Sequence, residues 1–227
     1  MRVHFLRHGQ SASNAAPGVV SLPEAEGDRL SERGWEQARA AGEQLSGIAA
    51  TRILTSPLRR ARETAEALAE RLGLPIVEVE ELREIRESDG YDVLPAEEQL
   101  LRRWSVWMAE HPDDRDHSRN GGESFNEVMG RVERLQQLLV GSGEETALAV
   151  SHGIFLRFFF IHSLLGDEFG PGQVRRLWQL HSINCGLCSF EHREPGSRDP
   201  AQLDQLAFAA GRWRCLTWMS RWWDPLL

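Results

Sequence analysis

Met1–Asn14 reads MRVHFLRHGQSASN, and its first half, Arg2-Val3-His4-Phe5-Leu6, alternates polar and apolar residues as a short strand does. The strand runs straight into Arg7-His8-Gly9, which places Arg7 and His8 at its carboxyl end. In an open α/β sheet that edge is where ligands bind. His8 is a base or nucleophile at neutral pH, and Arg7 is a permanent cation with a planar donor fork. Gln10-Ser11-Ala12-Ser13-Asn14 adds hydroxyls, amides and free backbone N–H groups. These groups describe a site for an oxyanion, a phosphate above all.

Working outward, residues 15–28 lack periodicity and read as a loop. Ser31 is the expected N-cap of a helix whose buried stripe is Trp35, Ala38, Ala41, Gly42 and Leu45. Residues 51–55 form a second strand. Ser56-Pro57-Leu58-Arg59-Arg60-Ala61 then opens a helix with Pro57 in its first turn, ended by Gly73 and Pro75. A third strand at 76–79 leads into a charged segment containing Arg83, Glu84 and Arg86. Residues 88–122 read as an inserted helical lobe, and 123–140 as a helix with Phe125, Val128, Val132, Leu135 and Leu139 on one face. The small apolar run 146–150 is a buried central strand. It ends in Ser151-His152-Gly153 and is followed by an apolar helix over 154–165, which repeats the strand–His–Gly arrangement at His8. Two strand-like pieces, 184–191 and 212–218, close the chain. The aromatic end at 218–223 reads as packing or a lid edge. The element order predicts a three-layer α/β/α sandwich: a mostly parallel central sheet with an antiparallel C-terminal edge.

Composition narrows the function. With 227 residues and 41 % hydrophobic content, the chain supports one large domain, 1–227, carrying the lobe at about 88–122. A net charge of −8 disfavours a nucleic-acid or anionic-membrane binder. No apolar run reaches about 18 residues, and no signal peptide is visible, so a cytoplasmic location is expected by default. The sequence contains no lysine. That excludes a Walker loop and Schiff-base catalysis, so an anion site must use Arg, His or backbone donors. Cys185 and Cys188 form a lone C-x-x-C without a second pair, and they read as small buried hydrophobes.

Arg7, His8, Arg60, Glu84 and His152 all fall just past strand ends that a doubly wound sheet aligns along one edge. This is an inventory for phosphoryl transfer through a phosphohistidine. Cations neutralise the oxygens, a neutral imidazole attacks in line, and a carboxylic acid protonates the leaving oxygen.

Arg7-His8-Gly9 with Asn14 resembles the signature of the histidine phosphatase superfamily, which includes the cofactor-dependent phosphoglycerate mutases. Ser56-Pro57-Leu58-Arg59-Arg60-Ala61 with Thr64-Ala65 is similar to its second motif, and Leu82-Arg83-Glu84 to its acid-bearing segment. Gly121-Gly122-Glu123-Ser124 and Val150-Ser151-His152-Gly153 match its later landmarks, all in the family's order. The resemblance implies that His8 is phosphorylated. It implies that Arg7, Arg60 and His152 hold the phosphoryl oxygens, with Asn14 and the Gly153 N–H assisting and Ser11 as a further donor. Glu84 would protonate the leaving alkoxide and then deprotonate water. No metal and no cofactor is implied. Ser88-Asp89-Gly90-Tyr91-Asp92 stands where many members carry a small Gly/aromatic segment, and the longer insertion of the mutases is not recognisable. Hydrolysis of a small phosphorylated metabolite is therefore expected over mutase activity. Arg83, Arg86, Tyr91, Arg102 and Arg103 are candidates to line the substrate pocket. A non-catalytic phospho-ligand module is the rival from another class. Oligomeric state is left open, a homodimer included.

Overall fold

Strand β1, Arg2–Arg7, lies inside the sheet with β4, Thr146–Ser151, on one side and β5, Leu187–His192, on the other. The computed structural model describes residues 1–15, 28–86, 110–116, 118, 121–193 and 213–220. With β2, Ile53–Thr55, β3, Ile76–Glu78, and β6, Trp213–Ser220, the six-stranded sheet has the order β3-β2-β4-β1-β5-β6. The pairs from β3 through β1 are parallel. β5 and β6 add antiparallel at one edge, as the sequence predicted.

Alternation along each strand builds two cores. Val3 and Phe5 of β1, Ala147 and Ala149 of β4, and Cys188 and Phe190 of β5 face one layer. That layer is α3, Phe125–Gly141, and α4, Gly153–Leu165. Leu6, Ile53, Leu148 and Val150 face the opposite layer, formed by α1, Glu32–Gln44, and α2, Arg59–Leu72. Small residues such as Ala38, Ala61 and Ala65 let α1 and α2 approach closely. The chain is thus a three-layer α/β sandwich.

Local chemistry sets the ends. Ser31 accepts the Gly34 N–H and caps α1. Ser124 and Glu127 form a capping box on α3. Gly73 ends α2 at φ +67°, a left-handed conformation that suits glycine. Pro57 departs from expectation: it lies before α2, because Leu58 is extended (ψ 137°) and its N–H turns back to Ser56 Oγ at 3.2 Å. The predicted stripe Phe125, Val128, Val132, Leu135 and Leu139 is fully buried. Trp218 packs on Phe160, with ring centroids 4.8 Å apart, and its Nε1 donates to His181 O. Most of the predicted 88–122 lobe and of the 15–28 loop lies outside the described residues. No helix among the described residues is long and apolar enough to cross a membrane.

Candidate active site

β1 delivers His8 to the carboxyl edge of the sheet, where its N–H donates to Ser151 O of β4 at 2.9 Å. The ring is buried. Its Nδ1 lies 2.7 Å from Gly9 O. A carbonyl oxygen only accepts, so Nδ1 carries the hydrogen and Nε2 keeps its lone pair. Arg60 Nε donates to that Nε2 at 3.2 Å. The chain can leave β1 this tightly only with glycine: a Cβ on Gly9 would come within 2.5 Å of Gly34 O. Thr64 Oγ1 accepts the Gly9 N–H at 3.0 Å and donates to Arg60 O at 2.7 Å, which ties α2 to the turn. Asn184 Nδ2 donates to His8 O at 3.1 Å.

β4 delivers the second ring. His152 is fully buried, and its centroid lies 5.1 Å from that of His8. Its Nε2 is 2.8 Å from Ser56 Oγ at the end of β2, while its Nδ1 has no hydrogen-bond partner among the described residues. Burial pushes His8 well below the usual histidine range, helped by Arg60 and Arg7 and opposed by the Gly9 bond. Burial does the same at His152, with Arg60, His8 and Arg7 adding to it. Both rings are therefore neutral at pH 7.

Arg7 Nη1 donates to Ser182 O at 2.6 Å, and its Nε is buried without a partner among the described residues. Burial lowers the Arg7 pKa, with the Glu84 charge opposing the shift. Gly153 leaves room for this guanidinium: a Cβ there would lie 3.2 Å from Arg7 Nε and 2.5 Å from Ser182 Oγ. Arg60 also pairs with Asp28, whose other oxygen accepts the Arg59 N–H at 2.8 Å. Glu84 sits at the head of α4. Its Oε1 accepts the N–H groups of Ile85 and Phe155 (3.0 and 2.9 Å), and Oε2 accepts that of Ile154 (3.2 Å). Its segment is carried by Arg131, which donates to Arg83 O and Glu81 O and pairs with Glu123.

The structure thus brings Arg7, His8, Arg60 and His152 together, with Gly153 and Glu84 bordering them at the start of α4. Ser11 Oγ accepts the Asn14 N–H at 3.2 Å, a local turn bond. Asn14 is exposed, and its Oδ1 accepts from Asn184. Arg83 is exposed and paired with Glu80. Arg86 is exposed too, its N–H donating to Glu123. Tyr91, Arg102 and Arg103 lie outside the described residues. Sequence reasoning assigned no role to Asp28, Ser56, Ser182 or Asn184. Of these only Ser56 carried a signal, as a hydroxyl between a strand and a proline. Cys185 and Cys188 are buried thiols, and burial pushes both up to about 12.

The family profile of the histidine phosphatase superfamily, branch 1, matches residues 3–198. The chain belongs to this superfamily. A probable phosphoglycerate mutase GpmB from Photorhabdus laumondii is 31 % identical over 205 residues, covering 85 % of this chain and 86 % of its own. The corresponding Erwinia tasmaniensis protein is 29 % identical over 203 residues, with 86 % of each chain covered. Among solved structures, mycobacterial glucosyl-3-phosphoglycerate phosphatase superposes with a TM-score of 0.70 at 27 % identity, covering 97 % of this chain and 99 % of its own. The proteins this chain resembles thus include both phosphatases and mutases, which are phosphoryl-transfer enzymes.

Proposed function

We propose that the protein is a metal-independent phosphatase that hydrolyses a small phosphomonoester through a phosphohistidine at His8. The observation that carries this reading is the His8 ring: Nδ1 is fixed on Gly9 O, Nε2 holds a lone pair, and Arg60 stands on that lone pair. A phosphoryl group entering here draws the Arg60 N–H onto its own oxygen and releases Nε2 for in-line attack. The N–P bond forms as the P–O bond to the leaving group breaks. Glu84, in its acid form, gives a proton to the departing oxygen and is left as the carboxylate. Water then attacks phosphorus, Glu84 takes a proton back, and the N–P bond breaks to release inorganic phosphate and His8. Arg7 and Arg60 offset the charge that a divalent metal would otherwise neutralise.

The reading predicts turnover of a generic aryl phosphate in EDTA and a phosphoenzyme that is stable to alkali and labile to acid. His8→Ala should show neither, and full activity in that variant would remove the nucleophile. The second reading is phosphoglycerate mutase-type transfer, favoured by the names of the sequence relatives. It predicts isomer formation from a phosphoglycerate without release of free phosphate.

A further inference from the structure

Ser56 is fully buried just past β2, and its own N–H is tied to Val150 O of β4 at 3.0 Å. Pro57 has no N–H, so the next backbone donor is Leu58, which donates to Ser56 Oγ at 3.2 Å. One lone pair of Oγ is therefore committed. The remaining contact is to His152 Nε2 at 2.8 Å.

Two hydrogen placements satisfy that distance, and they differ in what they leave over. In the first, Nε2–H donates to Ser56 Oγ. The serine proton then has no acceptor among the described residues, and Nδ1 turns a lone pair toward its surroundings. In the second, the hydroxyl donates to Nε2 and the hydrogen sits on Nδ1. Every polar atom of the pair is then used except the Nδ1–H donor, which is buried and has no protein partner among the described residues. A buried donor left unpaired costs free energy, and an anion beside it recovers that cost. The first placement would set a lone pair against phosphoryl oxygens, which repels.

We propose that Ser56 is a positioning residue that fixes His152 as the Nδ1–H tautomer, so that this nitrogen donates to a phosphoryl oxygen held between the two histidines. The role rests on the phosphatase reading of the site for its purpose but not for its geometry. His8 is locked as an Nδ1–H ring by Gly9 O and His152 by Ser56 Oγ. The same tautomer thus serves attack at one ring through an unprotonated Nε2, and oxyanion binding at the other through Nδ1–H.

The test combines ¹⁵N NMR of the histidine rings with a double-mutant cycle. In the free wild-type protein at pH 7, His152 should show a protonated Nδ1 and an unprotonated Nε2. Ser56→Ala should lose the single tautomer and lower kcat on an aryl phosphate about tenfold, the usual scale for one lost hydrogen bond. Ser56→Thr, which keeps the hydroxyl, should recover the tautomer. In a His152→Ala background, Ser56→Ala should cost no further rate, because two residues acting as a unit are not additive. A protonated Nε2 in the wild type overturns the assignment. So does an equal loss on adding Ser56→Ala to His152→Ala, which would place the effect in the Leu58 turn. The NMR readout needs no turnover. An inactive protein with the expected tautomer would overturn the phosphatase reading and leave the tautomer in place.

Discussion

At the residue scale, two buried imidazoles, both pushed toward the neutral form, stand beside two half-buried guanidiniums. Arg60 both occupies the His8 Nε2 lone pair and depresses the basicity of the two rings. Arg60→Ala should therefore lower kcat/KM on an aryl phosphate by about 10²–10³, as loss of one oxyanion-stabilising donor does. The sign of the accompanying pH effect follows from the same contact. Removing a nearby cation makes protonation of His8 easier, so the acid limb of the pH–rate profile should move to higher pH. A limb that stays put or moves down would contradict the placement of Arg60 against His8. The positions of His8, Arg7 and His152 were legible because each follows an apolar strand and precedes, or nearly precedes, a glycine. Asp28 was not legible. Its carboxylate matters only because the chain returns it to Arg60, 32 residues away, and no local pattern records that return.

At the element scale, the head of α4 is the junction that makes the site. Gly153 lets Arg7 and Ser182 lie against the helix start, and Glu84 accepts N–H groups of its first turn. Gly153→Ala introduces a Cβ 2.5 Å from Ser182 Oγ, so the 182 loop and Arg7 must shift. The expected result is a fall of about 10²-fold in kcat/KM on an aryl phosphate, the scale of an ångström-sized misplacement. α3 supports the same junction from behind. Arg131 is buried, stacks on Phe155 and carries the Glu81–Arg83 backbone while paired with Glu123. Glu123→Gln leaves that guanidinium without its counter-charge and should cost about 3 kcal/mol of stability, read from the urea midpoint. The helices themselves were legible from their stripes and caps. The Glu84 contacts were not, because backbone N–H groups at a helix start leave no mark in the sequence.

At the scale of the whole molecule, the two neutral histidines couple the site to folding. Their folded pKa values lie well below the ordinary 6.5, while the unfolded chain titrates near it. Above pH 6.5 both states are neutral, and the rings add no pH dependence. As the pH falls from 6.5 toward the folded values, only the unfolded state takes up protons, so stability falls. Each ring contributes up to about 1.4 kcal/mol per pH unit in that window. Thermal unfolding should show Tm dropping from pH 6.5 to 5, and the drop should be smaller in His8→Asn, which has one such ring fewer. An equal drop would mean that His8 is not buried neutral.

The sequence by itself determined the layers and the site's cast. Alternation of apolar residues at period two on the strands and near 3.6 on the helices, in alternating β–α order, is buried here as a sheet between two helix layers. Parallel strands joined by crossover helices then bring their carboxyl ends to one edge, so His8 and His152 meet although 144 positions separate them. Tertiary structure decided which atoms do what. Gly9 O chose the His8 tautomer, Ser56 reached His152, Asp28 reached Arg60, and the start of α4 took Glu84. These are directional bonds between distant groups. They are fixed by the angles at which packed elements meet, and hydrophobic periodicity does not encode those angles.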